Sequence, residues 1–143
     1  CALPICMVVL PLGECTLIND CYNANPNSMN AAFFTLKEIY ASGRRFAALG
    51  DMRELGASSL DEHVDVITKA IASSDEVFLT GEEMQRALGM IKSAKNVRHF
   101  GSKEEMAAHI ANVLGRGDVL LVKGSRGMKM EELISAVRGA KGL

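Results

Sequence analysis

Two periods alternate along this chain. Short apolar runs of strand composition stand at Cys6–Leu10, Cys15–Asn19, Arg45–Leu49, Glu76–Leu79, Val97–Phe100 and Asp118–Val122. Between them, apolar residues recur at helical spacing. The first such stretch is Met29, Ala32, Phe33, Leu36, Ile39 and Tyr40, with Asn25 as N-cap, Pro26 at the first helical position and Gly43 as the stop. The next three carry Leu60, Val64, Ile67 and Ile71, then Met84, Leu88 and Ile91, then Met106, Ile110, Val113 and Leu114. Each follows a capping-box pattern, at Ser59–Glu62, Thr80–Glu83 and Ser102–Glu105. A last helix carries Leu133, Ile134 and Val137.

Prolines on both sides of Cys6–Leu10 suit an edge strand, and Gly13-Glu14 turns the chain. Asp118–Val122 is continuous and β-branched, which predicts a central strand covered on both faces. Strand and helix alternate from Thr16 to the end. Right-handed crossovers make this an α/β domain, with a mostly parallel sheet of about six strands and helices on both faces. Residues 1–14 read as a linker and edge strand, and 15–143 as the domain.

The composition narrows the function classes. A chain of 143 residues has the length of one domain. A formal net charge of −1 offers no basic face for nucleic acid or an anionic membrane. No apolar run approaches the ~20 residues that span a bilayer. The apolar opening lacks the basic n-region and cleavage site of a signal peptide. The cysteines, Cys1, Cys6, Cys15 and Cys21, show no C-x-x-C pair and no nearby His. That spacing predicts neither a metal site nor a disulfide framework, but a cytoplasmic protein with incidental thiols.

In such a sheet, ligands bind beyond the carboxyl ends of the strands. The polar residues expected there are Asp20, Tyr22, Asn23 and Asn25; then Asp51, Arg53 and Glu54; then Thr80 and Glu82; and finally Lys123, Ser125, Arg126 and Lys129. Asp20 is placed to accept from a ribose hydroxyl. Lys123 and Arg126, flanked by glycines, suit a carboxylate or phosphate. Asn25 as a cap and Pro26 at N1 use up the donors a phosphate would need, so the first turn reads as a ribose-and-base contact. His63 reads as structural, and His99 and His109 have no nucleophile beside them. There is no G-x-x-x-x-G-K-[ST] and no G-x-G-x-x-G after the first strand, so neither a P-loop nor a dinucleotide cofactor is supported.

Three motifs in order carry a recognisable pattern: Asn19-Asp20-Cys21-Tyr22-Asn23-Ala24-Asn25-Pro26 running on to Met29, Leu49-Gly50-Asp51-Met52-Arg53-Glu54-Leu55-Gly56 with His63 after it, and Val122-Lys123-Gly124-Ser125-Arg126-Gly127 running on to Glu131. From about Thr16 onward the chain resembles the Rossmann-like C-terminal domain of the Mur ligases, and among them those that add D-Ala-D-Ala to UDP-N-acetylmuramoyl-tripeptide in peptidoglycan synthesis. The resemblance implies a cytoplasmic ligase of three domains. ATP and Mg²⁺ would serve a central P-loop domain, and an N-terminal domain would hold the UDP part. The substrate carboxylate becomes an acyl phosphate that the dipeptide amine attacks. By resemblance, Asp20, Tyr22, Asn23 and Asn25 are nucleotide-binding. Asp51, Met52, Arg53, Leu55, Lys123, Ser125 and Arg126 are substrate-binding. No catalytic residue is expected in this domain, which should be inactive alone.

The chain departs from the family at Pro4-Ile5-Cys6-Met7, where a Gly-Arg pair is usual, and at Cys21, where Ser is commoner. Two other readings compete. A phosphoacceptor receiver would use Asp20, Asp51, Thr80 and Lys123, although it needs an acidic pair at the first strand end. A freestanding nucleotide-binding module differs only in what the gene encodes upstream.

Overall fold

A computed structural model describes residues 7–143. Its strands are β1 (Val8–Leu12), β2 (Cys15–Asp20), β3 (Arg45–Leu49), β4 (Glu76–Thr80), β5 (Val97–Phe100) and β6 (Val119–Lys123). Its helices are α1 (Pro26–Glu38), α2 (Ser59–Ser73), α3 (Glu82–Leu88), α4 (Lys103–Val113) and α5 (Glu131–Lys141). The strands make one sheet in the order β1-β2-β6-β3-β4-β5. The β1–β2 pairing is antiparallel and the others are parallel.

Side chains alternate across a strand, so each strand feeds two cores. Phe46, Ala48, Phe78, Leu120 and Val122 pack with Met106, Ile110, Leu133 and Val137 of α4 and α5. Ala47, Leu49, Val77, Leu79, Val119 and Leu121 pack with α1, α2 and α3 through residues such as Met29, Leu36, Ile67 and Met84. Every residue of β6 is buried, as its unbroken apolar run requires.

The return from β5 to β6 through α4 runs back across the sheet, and α4 lies on the face opposite α1, α2 and α3. The chain therefore leaves β2 and β3 toward one face and β6 toward the other, and crevices open at the carboxyl ends beside β6. A receiver carries its last strand at the sheet edge. Here the last strand lies between β2 and β3, which excludes that reading.

Several local expectations are corrected. The first strand is Val8–Leu12, and Cys6, with the Pro4–Cys6 part of the departure, lies outside the described residues. Helix α1 stops at Glu38: Ile39 turns extended as its C-cap, and Tyr40 is exposed. Gly43 ends no helix; its N–H bonds the carbonyl of Gly117 instead. The buried face of α2 is His63, Val66, Ile67 and Ala70, whereas Leu60, Val64 and Ile71 are only half-buried. The patterns at Ser59 and Thr80 cap nothing. Ser59 is already helical and donates to Glu83, and Thr80 donates to the carbonyl of Phe100. Helix α3 ends at Leu88, short of Ile91. The caps at Asn25 and Ser102 form as expected.

Candidate functional site

At the end of β2, register decides the first contact. Asp20 lies directly opposite Lys123 of β6, and both are buried. Lys123 Nζ donates to Asp20 Oδ2 at 2.9 Å and to the carbonyl of Asn23 at 2.8 Å. Burial raises the carboxyl pKa of Asp20 above its ordinary value, and the neighbouring ammonium opposes that without reversing it. The ammonium of Lys123 is already paired, with two of its three N–H donors in use.

The following turn is closed by its own side chains. Asn25 Oδ1 accepts the N–H of Ser28 at 2.8 Å, and Ser28 Oγ accepts the N–H of Asn25 at 3.0 Å. Asn23 Oδ1 accepts the N–H of Ala24. With Pro26 at N1, little of the helix start remains to hold a phosphate. Asp20, Tyr22, Asn23, Asn25 and Lys123 line a cavity of about 300 Å³, which suits a ribose or base edge better.

At the end of β3, Asp51 turns away from solvent. Its carboxylate accepts the N–H groups of Glu83 and Met84, at 3.2 and 2.9 Å, and thereby caps α3 from another loop. Gly81 makes room for this at φ +106°, where a Cβ would lie 2.3 Å from Asp51 Oδ1. The Asp51 carbonyl accepts the N–H of Ser125, which ties this loop to the one after β6. Met52 is buried, and its N–H donates to His63 Nε2 at 3.0 Å. Arg53 and Glu54 are exposed, Arg53 Nη2 donating to Met128 Sδ at 3.6 Å and Glu54 standing at φ +62°.

At the end of β6, Ser125 is buried and its Oγ has no hydrogen-bond partner among the described residues. An unpartnered buried hydroxyl is costly unless something else completes it. It borders a cavity of about 260 Å³ with Tyr22, Asn23, Arg53, Glu54 and Arg126. The Arg126 guanidinium sits 5.3 Å from the Tyr22 ring centroid. Behind this loop, Lys103 Nζ donates to the carbonyls of Met128 and Lys129 and pairs with Glu132. Nothing in the pattern around Lys103 distinguished it from a solvated helix-start residue.

A third cavity, of about 810 Å³, runs on past Arg53, Glu54, Leu55, Gly81 and Glu82. Tyr22 and Asn23 border the first two cavities, and Arg53 and Glu54 border the second and third. The three form one trough along the carboxyl ends of β2, β6 and β3. Among the described residues, no group of His, Cys, Asp and Glu could hold a metal ion, and Cys15 and Cys21 are free thiols.

The family described as "Mur ligase, glutamate ligase domain" matches residues 7–126 of this chain. The chain belongs to that Mur ligase family. Its sequence is 37% identical over 127 residues to the UDP-N-acetylmuramoyl-tripeptide–D-alanyl-D-alanine ligase of Treponema pallidum, covering 86% of this chain and 28% of the relative. It is 37% identical over 126 residues to the Escherichia coli ligase of the same name, covering 85% of this chain and 26% of that one. The solved structure of MurF from Acinetobacter baumannii superposes with a TM-score of 0.82 at 29% identity, over 92% of this chain and 30% of that chain. MurF ligase from Thermotoga maritima, solved in complex with ADP, shares the fold with a TM-score of 0.82 at 23% identity. This Mur ligase domain thus spans between a quarter and a third of the length of these relatives. Among its described residues, no helix is long and apolar enough to cross a membrane.

Proposed function

We propose that this chain is the C-terminal domain of an ATP-dependent ligase that joins D-Ala-D-Ala to UDP-N-acetylmuramoyl-tripeptide in the cytoplasm, a step of peptidoglycan synthesis. The substrate class comes from the names of the relatives. The trough supports the placement. Asp20, Tyr22, Asn23 and Asn25 would meet the ribose and base of ATP. Arg53, Ser125 and Arg126 would meet the dipeptide, with Met52 and Leu55 as the wall beside it. Asp51 and Lys123 act one step back, as the frame that holds these loops.

The observation that carries the dipeptide assignment is Ser125: a buried hydroxyl without a partner, bordering a small cavity with two guanidinium groups. A carboxylate entering there would accept from Ser125 Oγ and take charge-assisted bonds from Arg53 and Arg126. The dipeptide amine would then face the acyl phosphate formed in the central domain. The chain's part is to bind and orient, which lowers the entropic cost of bringing amine and acyl phosphate together. Activating the carboxylate falls to ATP and Mg²⁺, whose ligands are assigned to the P-loop domain and the UDP site to the N-terminal one.

Phosphate release by the full-length protein decides the reading. Release that requires both the UDP-linked tripeptide and D-Ala-D-Ala supports it; release indifferent to the dipeptide overturns it. The 143-residue chain alone should yield no ligation product. Its affinity for ATP should be millimolar or weaker, about −4 kcal/mol at best. A freestanding binding module would instead show micromolar affinity and no upstream P-loop.

A further inference from the structure

His63 is fully buried on α2, beneath the loop that carries Arg53. Both ring nitrogens are used. The N–H of Met52 can only donate, so Nε2, 3.0 Å away, must accept. The proton therefore resides on Nδ1, which donates to the carbonyl of Ser59 at 2.7 Å. Ser59 Oγ lies 3.2 Å from the same nitrogen and donates to Glu83 Oε2 at 2.9 Å. The neutral ring thus joins the Asp51–Met52 peptide to the first turn of α2 and, through Ser59, to the start of α3.

We propose that His63 is a positioning residue for the dipeptide end of the trough. By holding the Met52 peptide it sets the direction in which Arg53 leaves the loop. The geometry supports this over a general packing role. Met52 is anchored by its buried side chain, and its peptide link to Asp51 is held at both ends, the N–H by His63 and the Asp51 carbonyl by the N–H of Ser125; two residues on, Glu54 stands at a positive φ. Arg53 leans across the loop after β6, where a Cβ on Gly127 would lie 3.1 Å from its Nε. Rotation of the Asp51–Met52 peptide would carry the guanidinium away from Gly127, from Met128 Sδ, to which its Nη2 donates at 3.6 Å, and from the cavity it borders with Ser125 and Arg126. The proposal rests on the reading that Arg53 contacts the dipeptide.

Two substitutions separate the ring's bonds. The amide of His63→Gln reaches the place of Nε2 and can still accept from Met52, whereas that of His63→Asn reaches only the place of Nδ1 and can still meet Ser59. Each variant loses one hydrogen bond, so a merely structural role predicts equal effects. In the full-length ligase, positioning predicts that His63→Asn raises the dipeptide KM about fivefold, the size of one buried hydrogen bond. His63→Gln should stay close to the native value, and the KM for ATP should be the same in both. Hydrogen exchange at the Met52 amide should quicken in the Asn variant only. His63→Leu, which removes both bonds, sets the scale. Equal KM changes in Gln and Asn, or a matching change for ATP, would overturn the proposal. Arg53→Gln serves as the control on the reading beneath it: an unchanged dipeptide KM there would show that Arg53 does not touch the dipeptide, whatever His63 does.

Discussion

The carboxylate of Asp51 caps helix α3 by accepting the N–H groups of Glu83 and Met84, residues that lie 32 and 33 positions further along the chain. One loop of the trough therefore secures the helix that supports another. Replacing Asp51 by Ala should cost about 0.5–2 kcal/mol, the usual value of a lost N-cap. Gly81→Ala should cost more, since it adds left-handed strain and drives a methyl group into the same carboxylate. Urea unfolding of both variants checks this order; an Ala at position 81 tolerated without loss would contradict the geometry.

Lys123 and Asp20 form the second relationship with a measurable outcome. Lys123→Met leaves a buried carboxylate without its counter-charge and should cost about 3–5 kcal/mol. Adding Asp20→Asn to that variant should recover much of the loss, because neither buried charge then remains. Non-recovery in denaturant melts would show that the pair is not the main tie between β2 and β6.

The same carboxyl group gives a pH signature. Its pKa in the folded chain lies above the ordinary carboxylate value of 3.8, with burial as the main cause. The folded state therefore holds this proton more tightly than the unfolded one. The resulting stability is fully present below the unfolded value and declines as pH rises through the raised one. Asp20→Asn should remove that falling component from a plot of stability against pH. A plot with unchanged slope in the acidic range would contradict the assignment.

Cys21 is buried, and desolvation pushes its thiol up to about 12, with Glu131 and Asp20 adding to the shift. Cys15 is also raised, chiefly by burial. Thiolate is the reactive form. Alkylation near neutral pH, mapped by peptide mass, should spare both residues in the native chain and modify them once it unfolds. Rapid labelling of Cys21 in the folded state would count against its burial.

Ser125→Ala removes a buried hydroxyl that bonds nothing among the described residues, so thermal stability should hold or rise, by up to about 1–3 kcal/mol. In the full-length ligase the dipeptide KM should rise roughly tenfold, as for a lost bond to a charged group. Lower stability with an unchanged KM would make this serine structural.

What the sequence disclosed and what it hid follow one division. The strands and the order of elements were legible because Leu17-Ile18, Phe46–Leu49 and Val119–Val122 are apolar runs that only a covered sheet can absorb. Caps made within a few residues, at Asn25 and Ser102, were legible too. Contacts made across the sheet were not. A capping-box pattern at Thr80 looks complete, yet the cap comes from Asp51. Lys123 ahead of Gly124 looks like a ligand cation, and only sheet register adds its buried partner, Asp20. His63 read as structural, but its partner, the Met52 peptide, is a backbone group that no side-chain pattern records.

The position of β6 bears on how this molecule comes into being. Of the six described strands it leaves the ribosome last, and it inserts between β2 and β3, which do not pair with each other. Until residues 119–123 emerge, the nascent chain holds two incomplete half-sheets with facing unpaired edges, a state open to wrong pairing and aggregation. A truncation anywhere before that strand would leave no smaller version of this domain. The trough, whose walls stand on both sides of β6, closes only when residues 119–128 are in place.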